Sequence, residues 1–340
     1  MEGSTFVFWN WTVVVYLFVA GVSAGAFAIS AFAYLLGKEK YQGITRMGAY
    51  IAPFPLVIGL LFLIYDLERP YLFWKLMVTL QAHSVMSLGA WLLVVFSLLS
   101  FVYFYLWLPD RFDALKLLQR IPPRWDRWAM VRLLKTSRLL AKVRRENLNR
   151  LRGWVGMAGI PVALSVGIYT GVLLSVLAAR PFWNNPMLPM LFLVSALKTG
   201  MASICLAGFL VKRFGGMSRE RIGTNKFIRS IDIALIVLSI ITMFLFIFGL
   251  YTVTPSSAEA AGLIMGGEFT FLFWGLAVAV GILLPLSFQV YELLPHFTGH
   301  TRQQRSHWIS GVVTIAVLVG GFVLRYVVVY AGQAAKIVAT

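Results

Sequence analysis

Apolar residues occur in eight long runs along the chain, each about as long as an α-helix needs to be to cross a bilayer. None shows the polar–apolar alternation that marks the strands of a membrane β-barrel. The pattern predicts an all-α fold, a polytopic membrane protein with eight transmembrane helices that we call spans 1 to 8. They are Trp11–Leu36, Gly48–Tyr65, Ser84–Leu106, Trp154–Leu177, Leu188–Val211, Ile231–Tyr251, Phe271–Tyr291 and Trp308–Tyr330.

The composition agrees with a membrane protein and excludes several kinds of site. The 340 residues are 59% hydrophobic and 13% charged, with a mean hydropathy of +0.81. Because Cys205 is the one cysteine, the chain alone forms no disulfide, cysteine-ligated zinc site or iron–sulfur cluster. We expect residues 1–340 to form a single integral membrane domain. Span 1 is expected to remain in it, because this run is too long for the apolar core of a cleavable signal peptide.

Basic residues concentrate in alternate connections between the spans. The loop between spans 3 and 4 carries 13 Lys or Arg against 4 Asp or Glu, and loops 1–2, 5–6 and 7–8 are also basic. The positive-inside rule places these loops in the cytoplasm, which predicts that both termini face the other side of the membrane, the periplasm if this is a bacterial cytoplasmic (inner) membrane protein. Residues 109–152 are expected to form a basic cytoplasmic loop with an amphipathic helix at the lipid interface. The net charge of +17 is then explained by these loops, and nucleic-acid binding is not favoured.

Two segments of the chain resemble each other faintly. FVAGVSAGAFA in span 1 and LVSALKTGMAS in span 5 align at Gly25 and Gly200, and both spans run in the same direction. A duplicated four-helix unit would produce this similarity, so the eight helices are compatible with two four-helix units. Gly21 and Gly25 also form a G-x-x-x-G pattern, which indicates close helix packing.

Several ionisable or polar side chains fall in the half of the bilayer that this topology assigns to the periplasmic face. A charge at membrane depth is costly, so such residues mark either structural pairs or a functional site. The set comprises Asp66, Glu68 and Arg69 at the end of span 2, His83 before span 3, Tyr169 and Thr170 in span 4, Lys198 in span 5 and Arg325 in span 8.

Most of these residues also have a purely structural interpretation. Asp66 and Arg69 lie three apart on one helical face, and could pair to stabilise the end of span 2. Arg325 is near enough to the end of span 8 to extend toward the surface. His83 could be an ordinary loop residue. Lys198 lies close to the bilayer midplane, where a paired or functional role is favoured. The convergence of the whole set on one side favours a common site.

The sequence lacks the ligands of a haem or metal centre. A membrane-bound b-type haem needs paired histidines on its helices, whereas His83, His296, His300 and His307 all lie in or beside loops. The sequence also has no P-loop, no H-E-x-x-H pattern and no nucleophile elbow. We therefore expect no haem and no metal in this chain.

Four stretches together resemble the NrfD/polysulfide-reductase-type membrane subunits. They are LIYDLERPYLFW, HSVMSLGAWLL, the segment from GIPVALSVGIYTG to LVSALKTGMAS, and VGGFVLRYVVVYAGQ. The aspartate-x-x-arginine-proline element after span 2 and the tyrosine-threonine-glycine element in span 4 are the most specific of these features. The likeness extends from span 1 to span 8 and is interrupted mainly by loop 3–4.

The resemblance implies a haem-free, quinone-reactive subunit of a respiratory oxidoreductase complex. Such subunits anchor a four-cluster iron–sulfur protein and a catalytic subunit, often a molybdopterin enzyme, and exchange electrons with menaquinone or ubiquinone near the periplasmic face. By position, Asp66 and Arg69 match the element after span 2 and Tyr169 matches the tyrosine near the quinone. In span 1, where some members have polar residues beside the quinone, Tyr16 is the obvious candidate.

The residues themselves supply the functions that quinone chemistry needs. Tyr169, Lys198 or His83 could donate hydrogen bonds to the carbonyl groups, and Asp66 or Glu68 could exchange protons. Arg69 and Arg325 could supply fixed positive charge. Two other interpretations remain open at this stage: a secondary transporter, which the internal similarity and Lys198 would suit, and a structural membrane anchor without a quinone site.

Overall fold

The eight predicted spans are all helices in the computed structural model, which describes residues 9–37, 41–66, 71, 81, 83–108, 148–177, 179–214, 226–298 and 307–335. Within these ranges there is no strand, and eight helical segments are long and apolar enough to cross a membrane. The spans are Trp11–Gly37; Gln42–Ile51 with Pro53–Asp66; Val85–Trp107; Leu148–Ser175; Leu188–Phe214; Lys226–Thr252; Phe271–Leu283 with Leu284–Thr298; and His307–Ala334. The predicted class, a polytopic all-α membrane protein, is confirmed.

Three features of the helices differ from the sequence-based expectation. Span 2 is interrupted at Ala52, because Pro53 has no N–H group to continue the helical hydrogen bonds. Span 4 already begins at Leu148, so the last residues of the predicted loop 109–152 belong to that helix, while residues 109–147 lie outside the described ranges. A short helix, Pro255–Met265, connects spans 6 and 7 and starts with a capping box at Thr254.

The spans form two rings of four helices. Spans 1, 2, 3 and 4 contact one another in that cyclic order, and spans 5, 6, 7 and 8 repeat the arrangement. Spans 1 and 5 contact each other extensively and join the two rings, with further contacts from spans 4 and 8. This packing agrees with the two four-helix units that the internal similarity suggested.

Spans 1 and 5 cross at the two glycines that the internal similarity had aligned. A Cβ atom added at Gly200 would lie 2.6 Å from the Cα atom of Gly25, and one added at Gly25 would overlap the carbonyl of Ala196. Both backbones therefore touch at this crossing, where a side chain has no room. The close packing predicted from the G-x-x-x-G pattern is confirmed.

Direct hydrogen bonds tie the two rings together at the end of the bundle where Asp66 lies, which we call the Asp66 side. The buried Arg180 donates from Nη1 to the carbonyl of Gln333 at 2.7 Å, and Trp183 donates from Nε1 to the carbonyl of Val328 at 2.8 Å. The side-chain amide of Gln333 also bonds both the N–H and the carbonyl of Trp9 at 3.1 Å. These contacts fix the starts and ends of spans 1, 4 and 8 relative to one another.

Candidate functional site

Asp66, the last residue of span 2, is bonded to the beginning of span 1. The hydroxyl of Thr12 donates to Oδ1 of Asp66 at 2.6 Å, and Nδ2 of Asn10 approaches the same oxygen at 3.4 Å. The two helices run antiparallel, so the start of span 1 necessarily meets the end of span 2. Asp66 is thus a partly buried carboxylate held by neutral donors at the rim of the first ring.

Two tyrosines from the neighbouring spans 1 and 4 lie near each other one turn deeper in the same ring. Tyr16 lies four residues after Thr12 on the same face of span 1, and its Cδ2 atom would be 3.4 Å from a Cβ atom added at Gly59 of span 2. Tyr169 of span 4 lies directly against the backbone of Gly89 in span 3, where an added Cβ would overlap its Cζ and hydroxyl. The two tyrosines are close enough to interact electrostatically. Both glycines make room for an aromatic ring between helices.

The hydroxyl groups of these tyrosines are available as hydrogen-bond donors. No described residue accepts a hydrogen bond from Tyr16 or Tyr169, although Tyr16 is 1% exposed. A buried phenol without a protein acceptor is uncommon, because the unmade bond costs free energy. Together with Asp66 at the rim, the arrangement offers two donors and one carboxylate in one four-helix ring, which we call the tyrosine site.

Lys198 lies in the second ring, away from the tyrosine site, and Arg325 lies between the two rings. Lys198 donates from Nζ to the carbonyl of Gly281 in span 7 at 2.7 Å. Arg325 is 0% exposed, so it does not extend to the surface as one interpretation of the sequence allowed. It donates to the carbonyl of Leu17 at 3.1 Å and to Oγ of Ser195 at 2.9 Å. Arg325 therefore links span 8 to both span 1 and span 5.

The remaining predicted residues are divided between the described and the undescribed parts of the chain. His83 is exposed beside Ser84, the N-cap of span 3, and no contact among the described residues joins it to either tyrosine. The hydroxyl of Thr170 is fully buried and donates to the carbonyl of Gly167 at 2.8 Å, within its own helix. Glu68 and Arg69 lie outside the described ranges, so the predicted pairing of Asp66 with Arg69 stays a prediction.

Sequence analysis missed several residues that build the tyrosine site. Asn10 and Thr12 were overlooked because they precede or begin the apolar run of span 1. The four-residue spacing of Thr12 and Tyr16 was the signal that could have revealed a polar face there. Gly59 and Gly89 carry no chemistry of their own, and only the packing shows that each accommodates a tyrosine.

The fold and the site together define a multi-pass helical membrane protein with a polar site near one face. Residues 2–337 match the family described as polysulphide reductase, NrfD, and the chain belongs to that family. The match covers both rings, which agrees with the resemblance that the four sequence stretches indicated.

Curated relatives of the chain include components of two reductases and an NrfD protein. The chain is 33% identical to the C chain of polysulfide reductase from Wolinella succinogenes over 336 residues, covering 96% of this chain and 95% of that protein. It is 31% identical to protein NrfD of Escherichia coli over 338 residues, covering 96% and 95%. With the C subunit of selenate reductase from Mesobacillus selenatarsenatis it shares 27% identity over 281 residues, covering 82% of this chain and 65% of that protein. The chain is thus a membrane subunit of the type found in reductase complexes.

Proposed function

We propose that this chain binds a menaquinone or ubiquinone at the tyrosine site and exchanges electrons between it and an iron–sulfur partner subunit. The observation that supports the proposal most strongly is that Tyr169 lies near Tyr16, one turn below the bond between Thr12 and Asp66, and that no described residue accepts a hydrogen bond from either phenol group. When bound, a quinone takes up or releases two electrons and two protons.

The residues of the tyrosine site fit the polar groups of a quinone head. Tyr16 and Tyr169 donate hydrogen bonds toward its carbonyl oxygens and orient the ring between spans 1 and 4. Asp66, at the rim, takes up or releases protons directly or through water, and Thr12 holds its carboxylate in place. Gly59 and Gly89 keep the tyrosine rings against the helix backbones.

The basic loops assign the Asp66 side to the periplasm. Because the sequence has no histidine pair to hold a haem, this chain offers electrons no relay into the membrane, and the quinone lies close to the partner's nearest cluster. We infer that a four-cluster iron–sulfur subunit and a catalytic subunit of the molybdopterin type dock on this side. In the proposed arrangement the catalytic centre belongs to the partner, and this chain supplies the quinone-reactive site.

Replacing Asp66 with asparagine tests this function. Asp66→Asn keeps the shape of the side chain and an acceptor for Thr12, but it abolishes proton exchange. We expect quinone-linked turnover of the purified complex to fall by roughly 10²-fold, the typical scale for loss of a general acid–base. Turnover with a soluble dye that reacts at the partner subunits should be nearly unchanged, because that route bypasses the membrane.

The matched control is Glu259→Gln, which makes the same chemical change in the short helix between spans 6 and 7. It should leave both activities at wild-type levels. Equal quinone-linked turnover in Asp66→Asn and wild type would remove Asp66 from the site. Absence of quinone-linked turnover in the wild-type complex would leave only a structural anchor.

A further inference from the structure

A polar cavity lies in the second ring, between spans 5, 6, 7 and 8. Its polar lining consists of Ser195, Lys198, Thr199, Ser239 and Thr242, and apolar side chains close the rest. The cavity has a volume of about 30 Å³ for the centres of water molecules. Since one water needs roughly 10–15 Å³ by this measure, the cavity has room for about two. It is too small for a quinone ring.

Lys198 reaches this cavity because span 7 is irregular at the same level. Span 7 changes there from a π-helix, Phe271–Leu283, to the helix Leu284–Thr298. Pro285 has no N–H group, so it cannot donate to the carbonyl of Gly281 four residues earlier. Nζ of Lys198 donates to that carbonyl at 2.7 Å. An ammonium group has three N–H donors, and no described residue accepts from the other two.

The hydroxyl groups around the cavity present acceptors. Thr199, Ser239 and Thr242 each donate to a carbonyl one turn earlier in their own helix, at 2.8, 2.6 and 2.8 Å. Because the hydroxyl hydrogens are used in these bonds, the hydroxyl oxygens can still accept hydrogen bonds from a ligand. Water can accept from Lys198 and donate to these hydroxyl oxygens, whereas an anion such as chloride would use only donors such as Lys198 and Ser195 and leave the three oxygens unmatched.

Asp232 lies on span 6 between the cavity and the opposite face of the protein. It lies seven residues before Ser239 on the same face of span 6, roughly 10 Å closer to the end at Lys226. Asp232 interacts electrostatically with Lys198 and accepts a hydrogen bond from Nε2 of Gln289. The basic loops assign this end to the cytoplasm.

Arg325 lies between the cavity and the tyrosine site. Its guanidinium bonds Ser195, which lines the cavity, and the carbonyl of Leu17, the residue after Tyr16. Arg325 stays charged and does not itself carry protons. Among the described residues, Arg325 and Asp232 are the charged groups near Lys198. Span 7 contributes only the apolar residues Ala277, Gly281 and Ile282 to the cavity lining.

We propose that Lys198 and its cavity form a water-containing proton-exchange site, separate from the tyrosine site and supplied by Asp232. The carboxyl group of Asp232 gives a proton through water to the neutral amine of Lys198, which leaves a carboxylate and an ammonium group, and the reverse transfer restores both. The bond from Lys198 to Gly281 couples this exchange to the irregular turn of span 7. Any link to electron transfer rests on the proposed function, but the exchange itself does not.

Nuclear magnetic resonance on the full chain in lipid bilayers tests this proposal. With ¹⁵N-labelled lysine, the signal that Lys198→Met removes is assigned to Nζ of Lys198. We expect magnetisation transfer from water to this nitrogen, and exchange of its hydrogens after transfer to D₂O. Asp232→Asn should slow that exchange by about 10²-fold, the scale for loss of a positioned proton donor. Glu259→Gln, the matched control, should leave the exchange unchanged.

Absence of water transfer to Lys198, or equal exchange rates in Asp232→Asn and wild type, would overturn the proposal and leave Lys198 as a structural tie to span 7. Size-exclusion profiles and helix content of the variants verify that they fold. The chain is measured without quinone or partner subunits. Failure here would therefore leave the proposed function standing, and loss of quinone-linked turnover in the complex would not affect this result.

Discussion

Replacing Gly89 with alanine should disable the tyrosine site without removing any chemical group from it. A Cβ atom at Gly89 would overlap Cζ, the hydroxyl and Cε2 of Tyr169. Normal carbon–carbon contacts lie near 3.5–4.0 Å, so the ring has to move by roughly an ångström or more. The hydroxyl group of Tyr169 is then displaced from its present position in the tyrosine site.

The size of the effect follows from that displacement. A misplacement of about 1 Å at a reacting centre can cost about 10²-fold in rate. We therefore expect quinone-linked turnover of the complex with Gly89→Ala to fall by about 10²-fold, while dye-linked turnover of the partner subunits stays at the wild-type level. Overpacking of this kind also costs about 1–3 kcal/mol, so the variant should unfold at a lower temperature.

The control for Gly89→Ala is Gly262→Ala, since no atom lies within 4 Å of a Cβ added at Gly262. This change should leave both activities intact. A second variant, Gly89→Ala with Tyr169→Ala, removes the overlap together with the phenol group, and it should stay defective with quinone. Wild-type quinone-linked turnover in Gly89→Ala would refute the placement of Tyr169 in the site.

Two further predictions concern the topology and the crossing of the rings. Reporter fusions at Ser256 and Lys142 should give opposite signals, periplasmic for Ser256, because the positive-inside rule predicts that the basic loops face the cytoplasm; identical signals would contradict the eight-span topology. Gly200→Ala places a Cβ 2.6 Å from the Cα of Gly25, and it should lower the melting temperature, whereas Gly153→Ala, 3.9 Å from its nearest neighbour atom, should not. Equal melting temperatures would contradict the close crossing of spans 1 and 5.

The spans could be predicted from the sequence because length and hydropathy decide which helices cross a bilayer. The breaks within them could not. Pro53 marks the break in span 2. The helix before this break starts at Gln42, ahead of the apolar run, and the polar residues there do not indicate that the helix extends so far. The π-helix of span 7 has no sequence signal beyond Pro285, and the bond that Lys198 makes to Gly281 in it joins residues far apart in the sequence.

The charged residue of the candidate site, Asp66, could be predicted from the sequence. The packing that brings the two tyrosines together could not. Asp66 stood out because a carboxylate at the end of an apolar run is costly. The sequence grouped Lys198 and Arg325 with Tyr169 because all fall in the same half of the bilayer, but this position does not tell which ring a residue faces. The structure separates them, with Tyr16 and Tyr169 in the first ring and Lys198 in the second. Only the three-dimensional contacts of Gly89 and Gly59 show where the tyrosines lie.

Photolabelling with a quinone analogue that carries an azido group tests the central claim most directly. The purified complex is illuminated with the analogue, digested and analysed by mass spectrometry. We expect the label on peptides from spans 1 and 4 that contain Tyr16 or Tyr169, with competition by excess unmodified quinone and strong reduction by Gly89→Ala. Lys198→Met should not reduce the labelling. Label on spans 5 to 8, or none that unmodified quinone displaces, would contradict the tyrosine site as the place where quinone binds.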